Sequence, residues 1–180
     1  LLIYSLFLSF ALWIICIYHT SYVIPHESIK LDYDKTVFWT NNVVANNGRD
    51  GILVDVSSNN NVISQNSIYD NVDKGIAIGS GSPNPPTITS VDAVSYDISG
   101  TADLGATLEL FFDDDNEGRS FLGSFTVFEL PWVYDASASD FTGALTNVTA
   151  TQLSSGYTSE FSGPFTLPAL SNAFYSSRPT

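Results

Sequence analysis

One stretch limits what this chain can fold into more than any other. Residues 40–79, TNNVVANNGRDGILVDVSSNNNVISQNSIYDNVDKGIAIG, repeat upon themselves. Residues 42–54 lie over residues 66–78 at a constant offset of 24, and the pairs Asn42/Asn66, Val44/Ile68, Asn47/Asn71, Gly51/Gly75, Ile52/Ile76 and Val54/Ile78 agree in character. A shorter unit, Asn-x-aliphatic-x-x-Asn, starts at Asn61 and again at Asn66. A fixed period of this length marks a stacked repeat, each unit being one supersecondary element. Ile52 and Val54, like Ile76 and Ile78, are two residues apart, so in a strand both enter one face. Strands of about three to five residues hold only when neighbours stack on them. Asn and Gly supply the corners because both tolerate left-handed backbone. Stacked asparagines can also bond to one another along the pile.

These residues resemble the right-handed parallel β-helix found in pectate-lyase-like and polygalacturonase-like proteins and in many bacterial surface proteins. The resemblance spans about two coils, residues 40–79. It implies an architecture and leaves the chemistry open.

The repeat stops at residues 79–86, GSGSPNPP, a flexible then stiff composition that suits a connector between domains. From Thr87 the alternation lengthens. Leu108, Leu110 and Phe112 alternate with Thr107, Glu109 and Phe111; Phe121, Gly123, Phe125 and Val127 alternate with Leu122, Ser124, Thr126 and Phe128. About seven short strands between turn residues predict an antiparallel β-sandwich over residues 87–163. ISGTADLGATLELFFD (98–113), FLGSFTV (121–127) and NVTATQLSSGYTSEFS (147–162) are similar to the bacterial Ig-like domain that often follows such coils. In that family the last strands run near V-T-A-T-A-T-D-x-x-G-N-T-S-E-F-S. Residues 148–151 and 158–162 match this run, while Gln152, Leu153 and Tyr157 depart from it. Residues 129–142 are less regular, and strand pairing there stays open.

The two ends read differently. Residues 1–18 are uncharged and apolar, near the lower length limit for a membrane-spanning helix and long for a signal-peptide core. They are expected to be a signal or anchor segment, membrane-inserted before processing, with a buried element of the fold as the alternative. Residues 19–39 carry no assignment, although KLDYDKTVFW reads as a strand leading into the coils. His19 and His26 sit seven apart outside any zinc-ligand pattern and read as surface histidines. Cys16 is the single cysteine, so no internal disulfide can form, and it reads as a small buried hydrophobe. Residues 164–180, with Pro164, Pro168 and Pro179, read as a linker or tail, and the lack of methionine suggests a piece of a longer product.

Six basic residues against 19 acidic exclude nucleic acid as a partner, since phosphate needs neutralising, and suit an extracellular or cell-surface chain. The repeat offers Arg49, Asp50, Asp55, Asp70, Asp73 and Lys74. Two carboxyls about 5–9.5 Å apart would serve glycoside hydrolysis. The register supplies a plainer role: Arg49 falls over Asp73 and Asp50 over Lys74, predicting ion-pair ladders. Asp113, Asp115 and Glu117 precede Gly118 with the spacing of an EF-hand loop, but Ser124 stands where the closing carboxylate belongs. A solvated acidic turn is expected, with a weak Ca²⁺ site at those three residues as the alternative. Asn147-Val-Thr149 fits a glycosylation sequon, yet it falls inside a strand. No nucleophile elbow, phosphate loop, zinc pattern or dinucleotide fingerprint is present, and no catalytic or cofactor-binding residue is assigned.

The sequence thus predicts an all-β chain: the C-terminal coils of a parallel β-helix, then an antiparallel Ig-like sandwich. A structural or adhesive extracellular role with a polysaccharide or cell-surface glycan partner follows. The alternative is the C-terminal part of a polysaccharide lyase or hydrolase whose active coils lie upstream. Because at least three repeats are generally needed to bury a continuous core, two coils alone should be less stable than the sandwich.

Overall fold

The computed structural model describes residues 15–18, 21–22, 27–31, 37–56, 60–92, 94–137, 139–141 and 146–167. Among these residues every regular element with a hydrogen-bonded ladder is a strand. Residues 1–14, His19 and His26 lie outside them, as do residues 168–180.

Among the described residues the N-terminal part is a solenoid of three coils, each contributing one strand to each of three parallel sheets. The first coil holds β1 (Ile15–Tyr18), β2 (Ser21–Tyr22) and β3 (Ile29–Leu31). β4 (Val37–Thr40), β5 (Val43–Ala45) and β6 (Ile52–Val54) form the second, and β7 (Val62–Ser64), β8 (Ser67–Tyr69) and β9 (Ile76–Ile78) the third. Val44 pairs with Ile68, Ile52 with Ile76 and Val54 with Ile78, the 24-residue register of the repeat. Ile52, Val54, Val44, Ile63, Ile68 and Ile76 are buried with Trp39 in one core. The period-2 aliphatics therefore do point inward.

The coil begins earlier than the repeat suggested. β1 pairs in parallel with β4, so residues 15–18 at the end of the apolar N-terminal run form a strand of the coil. β3 pairs with β6, bringing part of the unassigned 19–39 stretch into the first coil. This coil escaped the sequence alignment because its spacing is 22 residues at Ile15/Val37 and 23 at Ile29/Ile52. It also lacks the asparagine frame that marks the other two.

Asparagines make the corners. Asn41 and Asn46 adopt positive φ, and Gln65 and Asp70 do so one coil later. Each is followed by an asparagine, buried at 42, 47 and 66 and half-buried at 71, that bonds between coils. Asn42 N and Nδ2 both donate to Asn66 Oδ1 at 2.9 and 3.2 Å, and Asn47 N and Nδ2 both donate to Asn71 Oδ1 at 3.1 and 2.7 Å. The fixed corner backbone aims these side chains inward, where they satisfy amides that the turn would otherwise leave unpaired.

Beyond the connector, two antiparallel sheets share a second core. β10 (Thr87–Val91), β11 (Asp97–Thr101) and β14 (Trp132–Asp135) form one, in that order. β13 (Ser120–Thr126), β12 (Thr107–Asp113), β15 (Asn147–Ser154) and β16 (Tyr157–Thr158) form the other, with β17 (Phe165–Thr166) also on β15. Ile88, Ile98 and Trp132 from the first meet Leu108, Leu110, Phe112, Val148 and Ala150 from the second. Within the irregular stretch residues 132–135 do pair, as β14 on β11, and residues 165–166 of the expected tail are strand β17.

A bulge between Leu110 and Phe111 changes the register on β13. It carries Phe121 away from the face shared by Phe125 and Val127, and Phe121 is left 41% exposed. The strict alternation read from the sequence cannot survive an extra residue in one strand.

Candidate functional site

Alternation along β12 sends Leu108, Leu110 and Phe112 into the second core, so Glu109 and Phe111 point out of it. Both are nevertheless buried. What covers them is the open end of the third coil. The antiparallel unit sits on that end and supplies partners around its perimeter.

Each of the three parallel sheets is met in turn. At β7, Thr158 N donates to Asn61 O at 3.1 Å, and its Oγ1 accepts from Ile63 N at 3.0 Å. At β8, Ile68 and Gly118 exchange both backbone hydrogen bonds, 2.9 and 2.8 Å, an antiparallel bridge in place of a further rung. Ser67 Oγ beside it donates to Arg119 O at 2.6 Å. At β9, Ile78 N donates to Glu160 Oε1 at 3.0 Å, and Lys74 Nζ lies 2.6 Å from Glu160 Oε2.

The corners are closed by carboxylates. Glu109 accepts from Ser64 Oγ and from Gln65 N, the latter at 2.9 Å. Glu117 accepts from Asn71 N and Nδ2, both at 3.0 Å. The ladder Asn47–Asn71 therefore ends on Glu117, whose two oxygens do for Asn71 what Asn71 Oδ1 does for Asn47. Over the apolar centre lies Phe161, packed on the coil core and edge-on to Phe111 with ring centroids 5.5 Å apart. A Cβ on Gly75 would come within 2.9 Å of the Phe161 ring, and one on Gly118 within 2.6 Å. Gly51 stands one coil below Gly75, and its own Cβ would meet Gly75 O at 2.7 Å. The ring thus takes the space that another coil would fill.

A family model described as a right-handed beta helix region matches residues 15–104. The chain belongs to the right-handed β-helix family. No curated protein sequence matches it. The β-helix match begins at β1 and runs through the connector to the loop after β11.

Burial sets the electrostatics of this β-helix end. Glu109 is raised above the ordinary carboxylate range by desolvation, partly offset by the Ser64 and Gln65 hydrogen bonds. Desolvation likewise pushes Glu117 up to about 7, against the lowering effect of Asn71, with Asp115 and Asp113 adding to the rise. Asp113 is also pushed up by burial, although its Oδ1 accepts from Asp114 N and its Oδ2 from Arg119 N.

The sequence-derived candidates fall into place around this joint. The acidic turn is anchored at both ends: Asp113 and Glu117 are fully buried, while Asp114, Asp115 and Asn116 face solvent, and Asp115 accepts from Glu117 N at 2.9 Å. The three carboxylates of the Ca²⁺ alternative are not brought together as a ligand set. Among the described residues no group of three or more His, Cys, Asp or Glu side chains is placed to hold a metal ion. Asn147, the sequon residue, is buried and donates to Asp115 O.

Of the expected ladders, Arg49–Asp73 forms at 3.9 Å between two largely exposed groups. Asp50–Lys74 does not form as an ion pair. Asp50 instead accepts from Lys74 N, while the Lys74 ammonium turns to Glu160. Asp55 pairs with Lys30 at 2.9 Å and Asp70 with Arg119 at 2.7 Å. The Arg119 guanidinium also covers the Tyr69 ring, 4.5 Å from its centroid. Glu109, Phe111, Glu160 and Phe161 were not singled out by sequence reasoning as site residues. For Glu160 and Phe161 a signal was present in the T-S-E-F-S match, where Thr158, Glu160 and Phe161 reach the coil while Ser159 and Ser162 accept from Gln152 N and Ala150 N.

Proposed function

We propose that this chain is a structural section of an extracellular adhesive protein, in which an Ig-like sandwich closes the end of a β-helix and holds it for display. The observation that carries the reading is the joint itself. Ile63, Gln65, Ile68, Asn71 and Ile78 all donate edge amides, and each finds an acceptor on the antiparallel unit. An open sheet edge is a template for uncontrolled pairing, and covering it is the usual remedy. The strand order supports the Ig-like assignment. Taking β10, β11, β12, β13, β14 and β15 as A, B, C, C′, E and F gives A-B-E facing C′-C-F, the Greek-key arrangement of such sandwiches.

The adhesive part of the reading is supported by a groove of about 140 Å³ along the joint, lined by Lys74, Gly75, Asn116, Glu160 and Phe161 among others. It offers an ammonium, a carboxylate and an amide close to an aromatic ring, a mixture that suits sugar hydroxyls and their apolar ring faces. A net charge of −13 favours neutral over acidic polymers. The test is retention of the full chain on immobilised neutral glycans, pectate and alginate, with and without Ca²⁺, alongside assay for new reducing ends or unsaturated uronates. Retention on a neutral glycan without turnover, weakened by Asn116→Ala, is expected. Turnover would replace this reading with the lyase or hydrolase alternative, and no retention on any polymer would leave a passive spacer.

A further inference from the structure

The groups that close the coil corners are not equivalent. Glu160 has a cation, Lys74. Glu109 has none. It is buried, and the elements packed against it present neutral groups only: Ser64 and Gln65 from the coil, Thr151 opposite it on β15 and Ser124 opposite it on β13. Among the described residues no charged side chain acts on it, and burial is the leading influence. A carboxylate without a counter-charge, desolvated between two units, costs free energy that a carboxylic acid does not.

We infer that the joint is a proton-operated latch with Glu109 as its working group, seated more firmly as the medium acidifies. This rests on the reading that the antiparallel unit closes the coil. The partner chemistry permits both protonation states. With Glu109 ionised, the Ser64 hydroxyl and Gln65 N–H both donate to it. With Glu109 protonated, its own O–H can donate to Ser64 Oγ, since a hydroxyl both gives and accepts, while the other oxygen still receives Gln65 N–H. No hydrogen bond is lost on protonation, and the burial of charge is relieved. Glu117 also takes up a proton, but both of its partners are N–H donors, so its protonation withdraws an acceptor from Asn71.

The sign follows from linkage. The closed joint holds the Glu109 proton more tightly than an open, solvated joint does, so closing takes up a proton. Closure therefore gains as pH falls through the raised value toward the ordinary carboxylate range, and the gain is lost above it.

The test uses the full chain and hydrogen exchange corrected for intrinsic rates at pH 8 and pH 5. Protection of the Gln65 amide, which faces Glu109, should rise by about threefold or more on acidification relative to Ile98 in the second core. The comparison is made in a Glu117→Gln background, which silences the other raised carboxyl of the joint; there Glu109→Gln should keep both hydrogen bonds, hold Gln65 near the acidic level at both pH values, and remove the response. Carbon-detected titration of the Glu109 carboxyl gives an independent readout. Its midpoint should be raised in the wild type and fall back in Phe161→Ala, which opens the joint without touching Glu109. A flat wild-type profile, an ordinary Glu109 midpoint, or a response that persists in Glu109→Gln of the Glu117→Gln background would overturn the latch. If Phe161→Ala leaves Gln65 protection unchanged, the closure reading itself fails. If it lowers protection while acidification does nothing, only the latch fails.

Discussion

Replacing Phe161 by alanine tests the joint where it is most apolar. The ring lies across the centre of the last coil, between two glycines whose Cβ positions would stand 2.9 and 2.6 Å from it, and edge-on to Phe111 at 83°. Truncating a fully buried phenylalanine costs about 3–5 kcal/mol through lost transfer and the cavity left behind. Phe161 is only partly buried, so about 2–3 kcal/mol is expected, including the aromatic pair with Phe111. That loss falls on the joint and the coil core beneath it, and not on the second core. At about 1.4 kcal/mol per decade, native-state exchange at Ile63, Ile68 and Ile78 should quicken on the order of 30-fold to 150-fold. Ile98 should exchange as before. Phe128→Ala is the control: that ring is 86% exposed, and its loss should change stability by less than about 0.5 kcal/mol. Unchanged coil exchange in Phe161→Ala, or a loss spread equally over Ile98, would refute the argument that this ring closes the coil.

Three further expectations separate the forces in the stack. Gly51→Ala drives a Cβ against the backbone oxygen of Gly75 and should cost about 1–3 kcal/mol in urea melts, whereas Gly75→Ala meets a ring that can shift and should cost less. Arg49→Asp should change stability by less than about 0.5 kcal/mol despite its place in the repeat, because the 3.9 Å pair with Asp73 is mostly in solvent; an Asp73→Arg partner should restore little. Glu117 keeps its proton up to about 7 in the folded chain. Between the ordinary carboxylate range and that value the folded state binds the extra proton, so unfolding free energy should fall as pH rises, by at most about 1.4 kcal/mol per unit. Glu117→Gln should reduce that slope in urea melts followed across pH 5–8, and what remains belongs to buried Asp113 and Glu109, which are raised as well.

Much of the coil could be read in advance because its determinants are local. Ile52/Ile76 and Val54/Ile78 need only a two-residue alternation and a common corner to fall into register. Asn42 and Asn47 follow corner residues of positive φ, so their side chains had little choice of direction. The first coil was missed for an equally local reason: shorter spacing and absent corner asparagines removed the signal while leaving enough apolar strand to stack. The bulge at Leu110/Phe111 gave no warning in the residue pattern, since an extra residue in one strand shows only when its partner is in place.

The sequence by itself determined the repeat register, the asparagine ladders and the inward face of β12. Only the tertiary structure decided what became of the outward face. Glu109, Glu117, Thr158, Glu160 and Phe161 are scattered over two strands and two loops, and they meet residues 44 to 95 positions earlier. No local preference links such distant residues. Their meeting depends on the connector folding back so that unpaired coil edges, costly to bury without partners, find acceptors on the unit that follows.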